Sequence, residues 1–221
     1  MNPVDLRLYG IIDPERATGR DPVELARQAV AGGATLIQYR DKYAEGRRLV
    51  ELARALKAAL EGTSVPLLIN DRIDVALAVG ADGVHLGQDD VHPKDARELL
   101  GPHAIIGLTL KTPEQADAMV GMPVDYGCIG GVFATGSKNN SDPPIGLDGL
   151  RKILKRVRLA SRRPMGAIAG IDASNAGAVI AAGADGIAAI SALFMATDPP
   201  TEARRLLHIV DQALTSRGVL A

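Results

Sequence analysis

Hydrophobic and polar positions follow two alternating periods along this chain. Short apolar runs, built from Ile, Leu, Val and Ala, are bounded by glycine or polar residues, and the stretches between them carry apolar positions three and four apart. The first kind predicts strands at Leu6–Ile12, Thr35–Tyr39, Pro66–Ile69, Gly83–Leu86, Ala104–Leu108, Tyr126–Ile129, Met165–Ile168 and Gly186–Ile190. The second predicts helices near Asp21–Ala31, Ala44–Leu60, Ile73–Val79, Pro93–Leu100, Pro113–Val120, Leu147–Leu159, Ala173–Ala182 and Glu202–Leu214.

A phrase nearly repeats where helix gives way to strand: Gly32-Gly33-Ala34, Gly80-Ala81-Asp82-Gly83 and Gly183-Ala184-Asp185-Gly186. Glycine just past a helix supplies the left-handed residue that ends it, so these phrases mark turns and not active sites. Eight strand-helix units, with no Gly-x-Gly-x-x-Gly after the first strand, predict a single-domain α/β fold over residues 1–221, a (β/α)8 TIM barrel and not a doubly wound sheet.

Hydrophobic residues make up 47% of the chain and aromatics 3%, so the core must be built from small aliphatic side chains, as suits buried parallel strands. Lys and Arg number 25 against 26 acidic residues, which leaves no overall field to attract nucleic acid or an anionic membrane. The lone cysteine, Cys128, lies in an apolar run and reads as a buried thiol. The first residues lack the basic and apolar regions of a signal peptide. Ala176–Ala196 is broken by glycines and Asp185 and reads as helix then strand, not as a membrane span, and a cytoplasmic setting is expected. Alanine-rich outer helices permit packing into a homo-oligomer without requiring it.

In such barrels chemistry sits in the loops after the strand C-termini. Asp71 follows the third strand and Asp90 the fourth. If those strands are parallel neighbours, both carboxylates emerge at one end of the sheet and can share a hard cation, although each could instead cap the following helix. Arg40 and Lys42 follow the second strand two residues apart, a spacing that suits either a clamp on a polyanion or a solvated ion pair beside Asp41 and Glu45. After the sixth strand a long loop carries Thr135, Gly136, Ser137 and Lys138, with hydroxyl, backbone and ammonium donors for phosphate. After the seventh and eighth come Gly170 and Ile190-Ser191, small residues of the kind that grip phosphate with backbone N–H groups. The four histidines, His85, His92, His103 and His208, show no zinc spacing and read as packing or surface residues.

Five phrases, Ile37-Gln38-Tyr39-Arg40-Asp41-Lys42, Leu68-Ile69-Asn70-Asp71-Arg72, Gly80 through Asp90, Thr135-Gly136-Ser137-Lys138, and Gly183 through Ser191, together resemble the thiamine-phosphate synthase family. That resemblance implies small-molecule substrates: a hydroxymethylpyrimidine diphosphate and a thiazole phosphate, or its carboxylated form, would combine to thiamine phosphate with loss of diphosphate. It implies Mg2+ on Asp71 and Asp90, and Gln38, Arg40, Lys42, Asn70 and Lys138 on the leaving group. It further implies Thr135, Ser137, Gly170, Ile190 and Ser191 on the thiazole phosphate, with Thr109 on the pyrimidine side. The chain departs from the family's usual phrases at Ala167 and Ala169, at Thr109-Leu110-Lys111 and at Gly130-Gly131. A thiazole tautomerase shares the fold but needs an acid/base group, and a non-catalytic phosphate-binding barrel needs affinity alone.

Overall fold

The computed structural model describes residues 4–17, 19–136 and 143–220. Among them eight parallel strands close into a barrel in chain order: β1 (Leu8–Ile12), β2 (Leu36–Tyr39), β3 (Leu67–Asn70), β4 (Gly83–Leu86), β5 (Ile105–Leu110), β6 (Tyr126–Ile129), β7 (Met165–Ile168) and β8 (Gly186–Ala189). Each strand pairs with the next, and β8 returns to β1 through Leu8 with Ile187, Tyr9 with Ala188 and Gly10 with Ala189. The helices are α1 (Pro22–Ala31), α2 (Gly46–Ala59), α3 (Ile73–Val79), α4 (Pro93–Leu100), α5 (Pro113–Val120), α6 (Gly146–Ala160), α7 (Ala176–Ala181), α8 (Ser191–Phe194) and α9 (Pro199–Ser216).

Alternation along each strand divides the core in two. One face points outward, where Leu8, Ile12, Ile37, Leu67, Ile69 and Val84 pack against helix residues such as Leu25, Ala53, Leu56 and Ala76. The other face fills the barrel with Leu6, Tyr9, Ile11, Leu36, Leu68, Tyr126, Cys128 and Ala188. Two of the four tyrosines of this aromatic-poor chain therefore lie inside the barrel. Gly107 makes room for one of them, since a methyl group there would fall 2.1 Å from the Tyr126 ring.

The repeated helix-to-strand phrase works as the sequence predicts. Gly33, Gly80 and Gly183 take φ of 101°, 63° and 117°, values that only glycine adopts without strain. Aspartates at the strand starts, two of them in these turns, then tie strand to strand. Asp82 Oδ2 accepts from Leu67 N at 2.8 Å and pairs with Lys57, and Asp125 Oδ2 accepts from Ile106 N at 2.7 Å and pairs with Arg97. Asp185 Oδ2 accepts from Met165 N at 2.8 Å and pairs with Arg158.

Several element ends differ from those predicted, three of them for plain local reasons. β5 runs past Leu108 to Leu110, because Leu110 still pairs with Ile129, so Thr109 lies within the strand and not after it. α7 starts at Ala176, later than Ala173, because the Asp172 side chain accepts from Ser174 N at 2.8 Å and Asn175 donates to Gly170 O at 2.8 Å, which builds a turn first. β8 ends at Ala189, and Ile190 opens the short α8, an element the periodicity missed because one helical turn carries no repeat. Among the described residues no helix is long and apolar enough to cross a membrane.

Candidate active site

At the C-terminal end of the barrel, β3 and β4 are parallel neighbours with Asn70 opposite His85. Asp71 extends that ladder by one bond, its N–H donating to His85 O at 2.9 Å, and then turns the chain with φ of 60°. Non-glycine residues at positive φ are uncommon and concentrate where function demands a direction. Gly87 N donates to Asp90 Oδ2 at 2.8 Å, which folds the Asp90 carboxylate back over the end of β4. The two carboxyl groups thereby come within hydrogen-bonding reach of each other.

Neither aspartate caps a helix. The residue before α3 is Arg72, with no side-chain capping bond, and α4 is capped by His92, whose Nδ1 accepts from Lys94 N at 3.2 Å. Burial first, and the neighbouring Asp90 second, push the Asp71 carboxyl up to about 6, against the pull of Lys42. Two carboxylates this close can share a cation. Groups of three or more His, Cys, Asp or Glu suited to a metal are absent among the described residues, so a cation here would take two protein carboxylates and complete its shell from other oxygens.

The two cations of the β2 loop go to different partners. Lys42 pairs with Asp71, which also accepts from Asn70 Nδ2 at 2.6 Å. Arg40 pairs with Asp13, a buried carboxylate from the loop after β1. Asp41, which one of the two readings made a solvated partner of the cations, accepts from the backbone of Tyr43 at 3.0 Å and Ala44 at 2.9 Å. Gln38 sits lower, 1% exposed inside the barrel, and donates to the Tyr9 hydroxyl.

Gln38 is the entry to a polar chain through the barrel interior. Tyr126 Oη donates to Tyr9 Oη at 3.0 Å, His85 Nδ1 lies 2.8 Å from Tyr126 Oη, and His85 Nε2 lies 2.8 Å from Thr109 Oγ1. Burial holds both tyrosine hydroxyls neutral, well above their ordinary range. The rings meet edge-on, with the Tyr9 and Tyr126 centroids 6.0 Å apart. Sequence reasoning read His85 as a packing residue and passed over Tyr9, Tyr126 and Asp13; the alternation of β1, β4 and β6 places those three ring residues on the inner face.

On the other side of the mouth, the ends of β5 to β8 enclose a small cavity of about 80 Å³. Thr109, Thr135, Gly170, Ile190 and Ser191, which the sequence scatters over four loops and strands, all line it, together with Lys111 and Ala169. The loop after β6 is joined to β7: Val132 N donates to Ile168 O at 3.2 Å and Phe133 N to Ala169 O at 3.0 Å. Gly170 has φ of 62°, and a side chain there would come 2.4 Å from Ala134 O. Ala169 takes φ of 94° with a methyl group to accommodate. Ser137 and Lys138 lie outside the described residues.

A family model described as thiamine monophosphate synthase matches residues 8–193. The chain belongs to that family. It is 51% identical to a thiamine-phosphate synthase of Agrobacterium fabrum over 98% of its own length and 99% of the relative's. It is 46% identical to a protein of the same name from Moorella thermoacetica, over 93% of this chain and 96% of that one. A solved structure of a thiamine phosphate pyrophosphorylase from Pyrococcus furiosus superposes with a TM-score of 0.83 at 38% identity, covering 96% of this chain and 98% of the other.

Proposed function

We propose that this chain joins 4-amino-2-methyl-5-hydroxymethylpyrimidine diphosphate to 4-methyl-5-(2-hydroxyethyl)thiazole phosphate, or to its carboxylated form, and releases diphosphate. One observation carries the reading. Asp71 and Asp90 converge beside Lys42 and Asn70 at one side of the mouth, while the cavity lined by Thr135, Gly170 and Ser191 opens at the other. A barrel that only bound one phosphate would have no use for the carboxylate pair, and a proton-moving isomerase would need an exposed acid or base, whereas His85 is buried and engaged on both ring nitrogens.

The donor set fits Mg2+, which is commonly held by one or two carboxylates with the remaining positions taken by phosphate oxygens and water. When bound to Asp71 and Asp90, Mg2+ would neutralise charge on the diphosphate as it departs. The residues of the chain do the rest. Lys42 and Asn70 both bond Asp71 Oδ2, from the β2 and β3 ends, and would turn their donors to the diphosphate, while Arg40, steadied by Asp13, adds a second positive group nearby. Lys138 joins this set in the same reading. Gln38, from below, donates to the Tyr9 hydroxyl inside the barrel.

The pyrimidine ring is assigned to the space beside Thr109, whose hydroxyl is hydrogen-bonded to His85, with Tyr9 and Tyr126 packed deeper inside the barrel. The amino group of that ring delocalises the positive charge left at its methylene carbon as the diphosphate leaves. The thiazole nitrogen, which bears no proton, then supplies its electron pair to that carbon. Bond formation therefore needs no general base, and the protein's task is to place the two rings and hold the leaving group. Thr135, Ser137, Gly170, Ile190 and Ser191 grip the thiazole phosphate. A cytoplasmic setting belongs to the same reading.

Purified protein given both substrates, with Mg2+ or with excess chelator, tests this directly. Diphosphate release that requires both substrates and the metal is the expected result. Binding of thiazole phosphate without any release would overturn the proposal in favour of a non-catalytic barrel.

A further inference from the structure

The small cavity contains one charged side chain among its described lining residues, Lys111. A phosphate monoester carries close to two negative charges at neutral pH. Backbone N–H groups and the hydroxyls of Thr135 and Ser191 offer dipoles to such a group but do not neutralise it. An anion taken into a confined site without a compensating charge is costly, and charge-assisted hydrogen bonds are roughly twice as strong as neutral ones.

Lys111 is well mounted for that task. It is the first residue beyond β5 and stands two positions after Thr109, so it leaves the strand on the same side as a residue that faces the cavity. Its backbone N–H donates to Gln115 Oε1 at 2.6 Å, which anchors the main chain at the base of the loop. Its stem runs beside Gly130, where an added side chain would come 3.8 Å from Lys111 Cγ.

We infer that Lys111 is the cationic ligand for the anionic group of the thiazole substrate in the β5–β8 cavity and sets the preference for a phosphorylated over an uncharged thiazole. The inference rests on the synthase reading above and names a residue that reading leaves without a role. Lysine, a compact charge on a flexible stem, suits a phosphate whose oxygens are otherwise held by rigid backbone.

Lys111→Met keeps the packing of the stem and removes the charge, and Lys111→Arg restores it. Steady-state kinetics should be run with thiazole phosphate and with the uncharged 4-methyl-5-(2-hydroxyethyl)thiazole, and thiazole phosphate binding measured by calorimetry. The expected result for Lys111→Met is a KM for thiazole phosphate raised at least tenfold, with weaker binding to match. The KM for the pyrimidine diphosphate should move less than twofold, preference over the uncharged thiazole should collapse, and Lys111→Arg should recover most of the loss. An unchanged KM for thiazole phosphate, or an equal rise for both thiazoles, would overturn the inference, the second because it marks a steric role. If wild-type protein binds thiazole phosphate yet releases no diphosphate, the synthase reading fails instead, and the calorimetric comparison still decides the role of Lys111.

Discussion

The two ends of this barrel use the same residue, aspartate, in opposite ways. Where the strands begin, Asp82, Asp125 and Asp185 each accept a backbone N–H from a neighbouring strand and pair with one cation from the surrounding helices. Their charge is answered within the fold. Where the strands end, Asp71 and Asp90 face each other with Lys42 as the ammonium on one of them, and Asp71 sits at a positive φ. The size of a hollow does not separate the two ends in the expected direction. The open depression of about 1210 Å³ lies at the strand N-termini, bordered by Lys57, Asp82 and Asp125, while the substrate side holds about 80 Å³. Carboxylates drawn together distinguish the working end, and carboxylates each set between a backbone N–H and one cation the supporting end.

The largest test of that contrast is exchange at the mouth. Asp90→Asn should reduce turnover by about a thousandfold or more, roughly 4 kcal/mol of lost charge stabilisation, with the circular dichroism spectrum preserved. Turnover within tenfold of wild type would remove the cation site from the reaction. At the other end, Asp185→Ala strands the Arg158 guanidinium and the Met165 N–H, and should lower the unfolding free energy by about 2 kcal/mol in denaturant titration while leaving KM values alone. A loss of activity without a loss of stability would break the comparison.

Smaller effects sharpen it. The folded protein holds a proton on Asp71 up to about pH 6, whereas the unfolded carboxyl releases it near 3.8. Stability without metal therefore falls as pH rises through that window, and the deficit is complete above it. Asp71→Asn should accordingly raise metal-free stability at pH 7 by on the order of 1 kcal/mol, a figure reduced for partial exposure and the lost Lys42 pairing, and should confer nothing below the unfolded value. Equal gains at both pH values would sink this account. Ala169→Gly, which relieves a φ of 94°, should add about 1 kcal/mol and raise Tm by a few degrees, the smallest effect of the set. A lower Tm would show that the methyl group contributes packing that outweighs its strain.

Much of this could be read along the chain. The strand-helix alternation located all eight strands, and the glycine-aspartate phrases marked the helix-to-strand turns, because both are local properties of spacing and backbone freedom. The convergence of Asp71 and Asp90 was predictable once β3 and β4 were taken as neighbours, since parallel strands deliver equivalent ends to one side. The family resemblance tied Thr135, Gly170, Ile190 and Ser191 to one ligand, and the structure brings these four around one cavity.

Other features depended on closure of the barrel. Tyr9, Gln38, His85, Thr109 and Tyr126 come from five strands and form one hydrogen-bonded chain only when those strands curve around a common axis. The pairing of Arg40 with Asp13 and of Lys42 with Asp71 has the same origin, as each bond spans nearly thirty positions in sequence and a single inter-strand gap in space. Sequence by itself determined the period, the turns and which residue types stand at each strand end, because these follow from backbone geometry over a few residues. Only the tertiary structure decided which charges meet, because that depends on distances between side chains that the chain order keeps far apart.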